Sequence, residues 1–138
     1  MKSDGSVWAW GLNGDGQLGD NTLTQRSVPV QTTVITNVSG IDGGGYQSLA
    51  IMGDGTVWGW GRNGNGQLGD ATTPGRLSPV PVSSLSQVAA VAGGGFHSLA
   101  VQQNPPTLYS WGKNQYGELG DGSTTDKHAP VSVSGFGL

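Results

Sequence analysis

The heptapeptide GDGQLGD, Gly14 to Asp20, returns as GNGQLGD at Gly64 to Asp70 and as QYGELGD at Gln115 to Asp121, 50 and then 51 residues further on. The flanks keep the same register. VWAWG (Val7 to Gly11) becomes VWGWG (Val57 to Gly61) and LYSWG (Leu108 to Gly112), and GGGYQSLAI (Gly43 to Ile51) returns as GGGFHSLAV (Gly93 to Val101). A proline echo completes the set, with SVPV from Ser27, SPVPV from Ser78 and APVSV from Ala129. A fixed period near fifty residues signals supersecondary units that bury their apolar faces on one another.

Each unit reads as β. In VWAWG the residues alternate, which places Trp8 and Trp10 on one face and Val7 and Ala9 on the other. Further extended runs lie around Pro29 and Val30, at Val38 to Ile41 and at YQSLAIM, separated by Gly, Pro, Asn or Asp, so four short strands per unit are predicted. VSSLSQVAAVA, Val82 to Ala92, also carries Leu85, Val88, Ala89 and Ala92 at helical spacing. Its counterpart in the first copy, VQTTVITNVSG, is β-branched, and a strand is predicted in both. The composition agrees: 26 Gly in 138 residues, with only 11% charged, favours short strands and tight turns over long helices.

Gly14, Gly16 and Gly19 spell the G-x-G-x-x-G of a dinucleotide phosphate loop, but the context is wrong. That loop needs a helix opening at the glycines and an acidic residue about twenty positions on. Here DNTLTQRSVP follows, with no amphipathic run and a proline within ten residues, and the third copy puts Gln115 where the first glycine stood. The glycines read as turn formers. A calcium loop is excluded on similar grounds. Asn13, Asp15 and Gln17 alternate suitably, but the second copy offers Asn63, Asn65 and Gln67 without a carboxylate, and the third places Tyr116 mid-loop. Asp20, Asp70 and Asp121 each follow Leu-Gly, where an Asp side chain accepts from nearby backbone N–H groups.

Nor does a catalytic set emerge. His97 falls within a strand, His128 lies in the loop TTDKHAP without a nucleophile beside it, and adjacent strand residues such as His97 and Ser98 point to opposite faces. No cofactor or metal site is predicted. The net charge is −3 and the six Lys and Arg are dispersed, so no basic stripe for nucleic acid is present. The absence of Cys excludes disulfides and thiolate chemistry. No signal-peptide pattern or membrane-length apolar run is visible, and the compartment stays open.

The order DG-x-VW-x-WG-x-N-x-x-GQLG, then P-x-V, then GGG-x-HSLAV resembles the repeat of the regulator of chromosome condensation family, over practically the whole chain. VAGGGFHSLAV, Val91 to Val101, is similar to that family's second signature throughout. Two departures stand out: Gln47 occupies the place of His97, and Gln115 replaces a glycine. The resemblance implies an all-β fold, a β-propeller of four-stranded antiparallel blades, about seven in a closed ring. Repeat one is placed at about residues 4–53, repeat two at about 54–104 and a truncated repeat three at about 105–138. Together they make a single incomplete propeller segment, with strands grouped four, four and two. An open arc of roughly two and a half blades, a piece of a longer protein, is the expected form, with self-association through its open blade edges a possible outcome.

The function expected is a non-catalytic scaffold for a protein partner, with neither nucleic acid nor membrane as target. The resemblance leaves three alternatives open: a guanine-nucleotide exchange factor-like regulator of a small GTPase, a bacterial secreted propeller that inhibits an enzyme such as a β-lactamase, and a structural or adhesive repeat. The Trp pairs Trp8/Trp10 and Trp58/Trp60, with Tyr109/Trp111, are expected between blades. Binding is sought where otherwise equal copies differ, as at Leu12, Arg62 and Lys113, and at Asp15, Asn65 and Tyr116. Arg62, Arg76 and Tyr116 are the candidates, since Arg and Tyr often anchor interfaces.

Overall fold

The computed structural model describes residues 1–137. Among them are ten strands and no helix: β1 (Trp8–Gly11), β2 (Arg26–Gln31), β3 (Val38–Gly43), β4 (Gln47–Met52), β5 (Val57–Gly61), β6 (Arg76–Pro81), β7 (Val88–Gly93), β8 (His97–Gln102), β9 (Thr107–Gly112) and β10 (Lys127–Ser132). They form three antiparallel sheets in the orders β1-β2, β3-β4-β5-β6 and β7-β8-β9-β10. The all-β propeller arc is therefore present, and it is open. The ambiguous run Val82 to Ala92 contributes β7 from Val88 onward, while Val82 and Leu85 enter the core ahead of it.

The strands group two, four and four, where the sequence repeats suggest four, four and two. The reason lies in the connections. Between β4 and β5 the Gly53-Asp54-Gly55 corner is a tight hairpin: Gly55 N–H donates to Met52 O, Met52 N–H donates to Thr56 O, and the Asp54 carboxylate accepts from Thr56 N–H. Between β2 and β3 the chain instead crosses to the next sheet through Thr33 to Asn37, where Val34 and Asn37 hold φ values of 73° and 56°. Each blade thus takes the last two strands of one repeat and the first two of the next.

Inner strands meet at the triple glycines. β7 packs against β3 and β4, Gly45 N–H donates to Gly94 O at 3.0 Å, and Gly93 N–H donates to the Asp42 carboxylate at 2.7 Å. A Cβ on Gly44 would lie 2.5 Å from Gly94 O, so this approach of two backbones needs a residue without one. The departure at Gln47 has a structural role. Its buried amide donates to Gly94 O at 3.1 Å and to His97 O at 3.0 Å, tying the second blade to the third.

Two apolar clusters fill the joints between blades. Val7, Ile35, Val38, Ala50 and Trp60 lie between the first and second sheets, and Leu49, Ile51, Val57, Val82, Leu85, Val88, Ala100 and Trp111 between the second and third. Trp60 and Trp111 are 2% and 0% exposed, as expected for joint residues, but Trp10 is 63% exposed. It occupies the same repeat position on the first sheet, which has no blade before it in this chain.

Each joint is pinned by one indole. Trp60 Nε1 donates to Gln17 O, and Trp111 Nε1 donates to Gln67 O, both at 2.9 Å. Ser48 Oγ and Ser98 Oγ reach the same two carbonyls at 2.8 Å. The indoles sit over Gly19 and Gly69, where a Cβ would lie 2.8 Å and 2.7 Å from the ring nitrogen. In the third copy Gly120 has the same backbone (φ 62°, against 70° at Gly69), but among the described residues only Val133 comes near. Alanine at either position carries the same backbone strain, and Gly69→Ala adds a clash with a buried ring. Gly69→Ala should therefore lose about 2 kcal/mol more than Gly120→Ala, measured by urea denaturation in dilute solution.

Candidate functional site

The heptapeptide turn is organised by a buried asparagine. Asn13 Nδ2 donates to Asp20 Oδ1 (3.1 Å), Thr22 O (2.9 Å) and Thr24 O (3.0 Å), and its Oδ1 accepts from Leu18 N–H at 3.0 Å. Asn63 repeats the pattern on Asp70, Thr72, Pro74 and Leu68, and Asn114 on Asp121, Ser123, Thr125 and Leu119. All three are fully buried. An amide with one acceptor and two donors satisfies four partners across eleven residues, which fixes a turn that no ladder supports. Gln17, Gln67 and Glu118 close the tip by accepting from the N–H two residues earlier. Asn13, Gln17, Asn63 and Gln67 are thus engaged in their own turns, and Asn65 Nδ2 donates to Asp126 at 2.9 Å. Asn63→Ala would leave Leu68 N–H and two carbonyls without their partner, and it should cost about 3 kcal/mol in denaturant-determined stability.

The aspartates complete this knot. Asp20 and Asp70 pair with Arg26 and Arg76 at 3.0 Å, and Asp121 with Lys127 at 3.4 Å. Burial works to raise the Asp20 and Asp70 carboxyls, but bonds from the neighbouring Thr, Arg and Asn outweigh it and hold both below the ordinary value. Bonds from the Ser123 N–H and hydroxyl bring Asp121 down to about 2. A carboxyl depressed on folding contributes stability that is complete above its unfolded value of about 3.9 and is lost as pH falls through the folded value. The urea midpoint should therefore hold steady above about pH 5 and fall between about pH 4 and pH 2. In Asp121→Asn the fall should be shallower, at the cost of a lower midpoint at neutral pH.

These knots present a row of rings and cations at the tips. Arg62 N–H and Lys113 N–H both donate at 2.9 Å to the carbonyls of the residues after the triple glycines, Tyr46 and Phe96. The Tyr46 and Phe96 rings stack at 5.5 Å with 23° between their planes. Arg62 lies over both, at 5.3 Å and 5.4 Å, and Lys113 lies 5.7 Å from Phe96 and 5.8 Å from Tyr116. Tyr116 is 79% exposed. On the side of the first blade, a groove of about 260 Å³ runs from Tyr46 past Gln47 to Trp10 and Leu12. The result is a guanidinium over the Tyr46–Phe96 pair and an ammonium shared by Phe96 and Tyr116, offered to solvent on rigid turns.

The structure brings Arg62 and Tyr116 into this row through Phe96 and Lys113. It holds Arg76 elsewhere, with Nε and Nη2 both on Asp70 Oδ2 at 3.0 Å and Nη2 on Thr72 Oγ1 at 3.1 Å. Tyr46 and Phe96 escaped the sequence reading, in which they were strand residues. Their signal was positional, since each follows three glycines and is the large side chain that such a corner projects.

Three short-bladed sheets, joined by indoles set over glycines and repeated at a fifty-residue period, define a propeller arc with its tips displayed for contact. The regulator of chromosome condensation (RCC1) repeat pattern matches residues 4–51, 54–101 and 107–137, and a second pattern of that description matches residues 38–67. The chain belongs to the regulator of chromosome condensation repeat family. No curated protein matches it by sequence. Among solved structures it is similar to yeast RCC1 (Prp20) bound to Kap60, at 24% identity and a TM-score of 0.85, over 97% of this chain and 34% of that one. It is similar also to Prp20p of Saccharomyces cerevisiae, described with its binding to Gsp1p and histones, at 24% identity and a TM-score of 0.84, over 97% and 35%. Human WBSCR16 matches at 25% identity and a TM-score of 0.82, over 98% and 37%. The chain thus spans about a third of the length of these proteins.

Proposed function

We propose that the chain is a segment of a non-catalytic propeller scaffold that engages a protein partner through the tip row Tyr46, Arg62, Phe96, Lys113 and Tyr116. The stacked rings with cations set over them carry this reading. Aromatic and Arg side chains held rigid on a scaffold give contact area at little entropic cost, and a cation over a ring adds about 0.5–1 kcal/mol at an exposed site. Loops on a repeated framework are where such proteins place recognition. The Ser48 and Ser98 hydroxyls are engaged in the blade joints, where they donate to Gln17 O and Gln67 O. Two cations on a chain of net charge −3 favour a protein with acidic and apolar loops over nucleic acid.

A regulator of a small GTPase is the finer alternative, favoured by the fold it shares with Prp20p, the protein described with Gsp1p. Two experiments separate the readings. Immobilised chain should retain discrete proteins from a lysate, and Arg62→Ala with Tyr116→Ala should lose them, while an alanine at exposed Gln31, outside the row, should not. Identical capture by all three proteins would refute the tip row. Faster release of labelled GDP from a small GTPase on adding the chain would move the assignment to exchange.

A further inference from the structure

The chain contains three Asn-Gly pairs, beginning at Asn13, Asn63 and Asn65, and the fold treats them unequally. Such a pair can react with itself, because a following residue without a side chain lets its backbone nitrogen approach the asparagine side-chain carbon. Asn13 and Asn63 are fully buried, and each amide is held by a leucine N–H and by the loop acceptors of its own turn. To react there, the turn must open. Asn114 holds the same buried place in the third copy, but Gln115 follows it instead of glycine.

Asn65 differs in each respect. It is half-buried at the tip of the second turn, and among the described residues its side chain makes one hydrogen bond, from Nδ2 to Asp126 Oδ2 at 2.9 Å. The other oxygen of that carboxylate, Asp126 Oδ1, accepts from Asn114 N–H at 2.8 Å, so the contact joins the tip of one blade to the buried turn of the next. Reaction at Asn65 gives up two hydrogen bonds, the one to Asp126 and that of Gly66 N–H to Asn63 O at 2.8 Å. Reaction at Asn13 or Asn63 gives up the whole set that fixes the turn. Gly66 is also tightly placed: its φ is 79°, and its Cβ position lies 2.5 Å from His128 Cδ2 and 2.6 Å from His128 Cα.

We infer that Asn65 is a site of spontaneous deamidation in the folded protein, and that the reaction turns a bond across the joint between the second and third blades into a repulsion. The Gly66 nitrogen gives its proton to solvent base and bonds to Asn65 Cγ, the Cγ–Nδ2 bond breaks, and ammonia leaves a succinimide ring. Water then opens the ring at one of its two carbonyls, giving aspartate or isoaspartate. Aspartate sets a carboxylate against Asp126 where an amide donor stood, and like charges in contact repel. Isoaspartate adds a backbone atom where Gly66 already touches His128. The first copy carries Asp15 at this position, but the residue equivalent to Asp126 is there Gly75, so that joint holds no such pair.

The test is peptide mapping by mass spectrometry on chain kept at mildly alkaline pH, with far-ultraviolet circular dichroism to establish that it stays folded. Asn65 should convert to the acid several-fold faster than Asn13 and Asn63. In concentrated urea the three rates should converge, with Asn114 far slower than all of them. An Asn65 that converts no faster than the two buried asparagines in the folded chain would overturn the site. The consequence is read in the urea midpoint. Asn65→Asp should lower it, and adding Asp126→Asn should restore it, by returning an amide opposite the carboxylate while keeping an oxygen for Asn114 N–H. Asn65→Gln should hold its midpoint through an incubation that lowers the parent's. A midpoint unmoved by Asn65→Asp, no recovery on adding Asp126→Asn, or equal loss in Asn65→Gln and the parent would each overturn the effect on the joint.

Discussion

The structure depends on one contact made twice, an indole N–H donating to a turn carbonyl of the preceding blade over a glycine that makes room for the ring. A sheet of four short strands buries too little to stand alone, so a blade is stable only when its apolar face meets another. The tryptophan answers both requirements: it supplies a large apolar area and its polar atom finds a buried acceptor. The glycine beneath it is required twice over, by a positive φ and by the lack of space for a Cβ. The spacing that suggests a phosphate cradle is thus the spacing of a tryptophan socket.

A second layer of organisation rests on the buried asparagines. A turn without ladder bonds must satisfy its backbone groups by other means, and Asn13, Asn63 and Asn114 do so with side chains. With the turn fixed from inside, its outward residues are free to differ. Leu12, Arg62 and Lys113 share one backbone position and present three chemistries. Their neighbours Tyr46 and Phe96 come from a different part of the repeat, and the Arg62 and Lys113 N–H bonds to their carbonyls make the row continuous.

The offset between repeat and blade gives the arc its polarity. The sequence unit begins with the outer strand pair, while the folded unit begins with the inner pair, since the chain changes blade halfway through each repeat. One end therefore shows an indole without a socket, and the other a socket without an indole. In a closed ring such ends would meet, and the same offset would lock the last blade to the first.

The period, the strand count, the propeller class and the turn role of the glycines were all legible in the sequence, because they follow from local rules repeated three times: alternation, turn chemistry and spacing. Asp20, Asp70 and Asp121 were legible as turn aspartates for the same reason. The grouping of strands into sheets was not, because a hairpin and a blade crossing use similar residues and differ only in which strand each half finds. Nor was the fate of individual side chains. Arg62 and Arg76 look alike in sequence, but one lies over a pair of aromatic rings and the other is held by Asp70, and Trp10 and Trp60 occupy equivalent positions with opposite exposure. Local pattern fixes what a residue can do, whereas the neighbour it meets lies some fifty residues away and is supplied only by the stacking of blades.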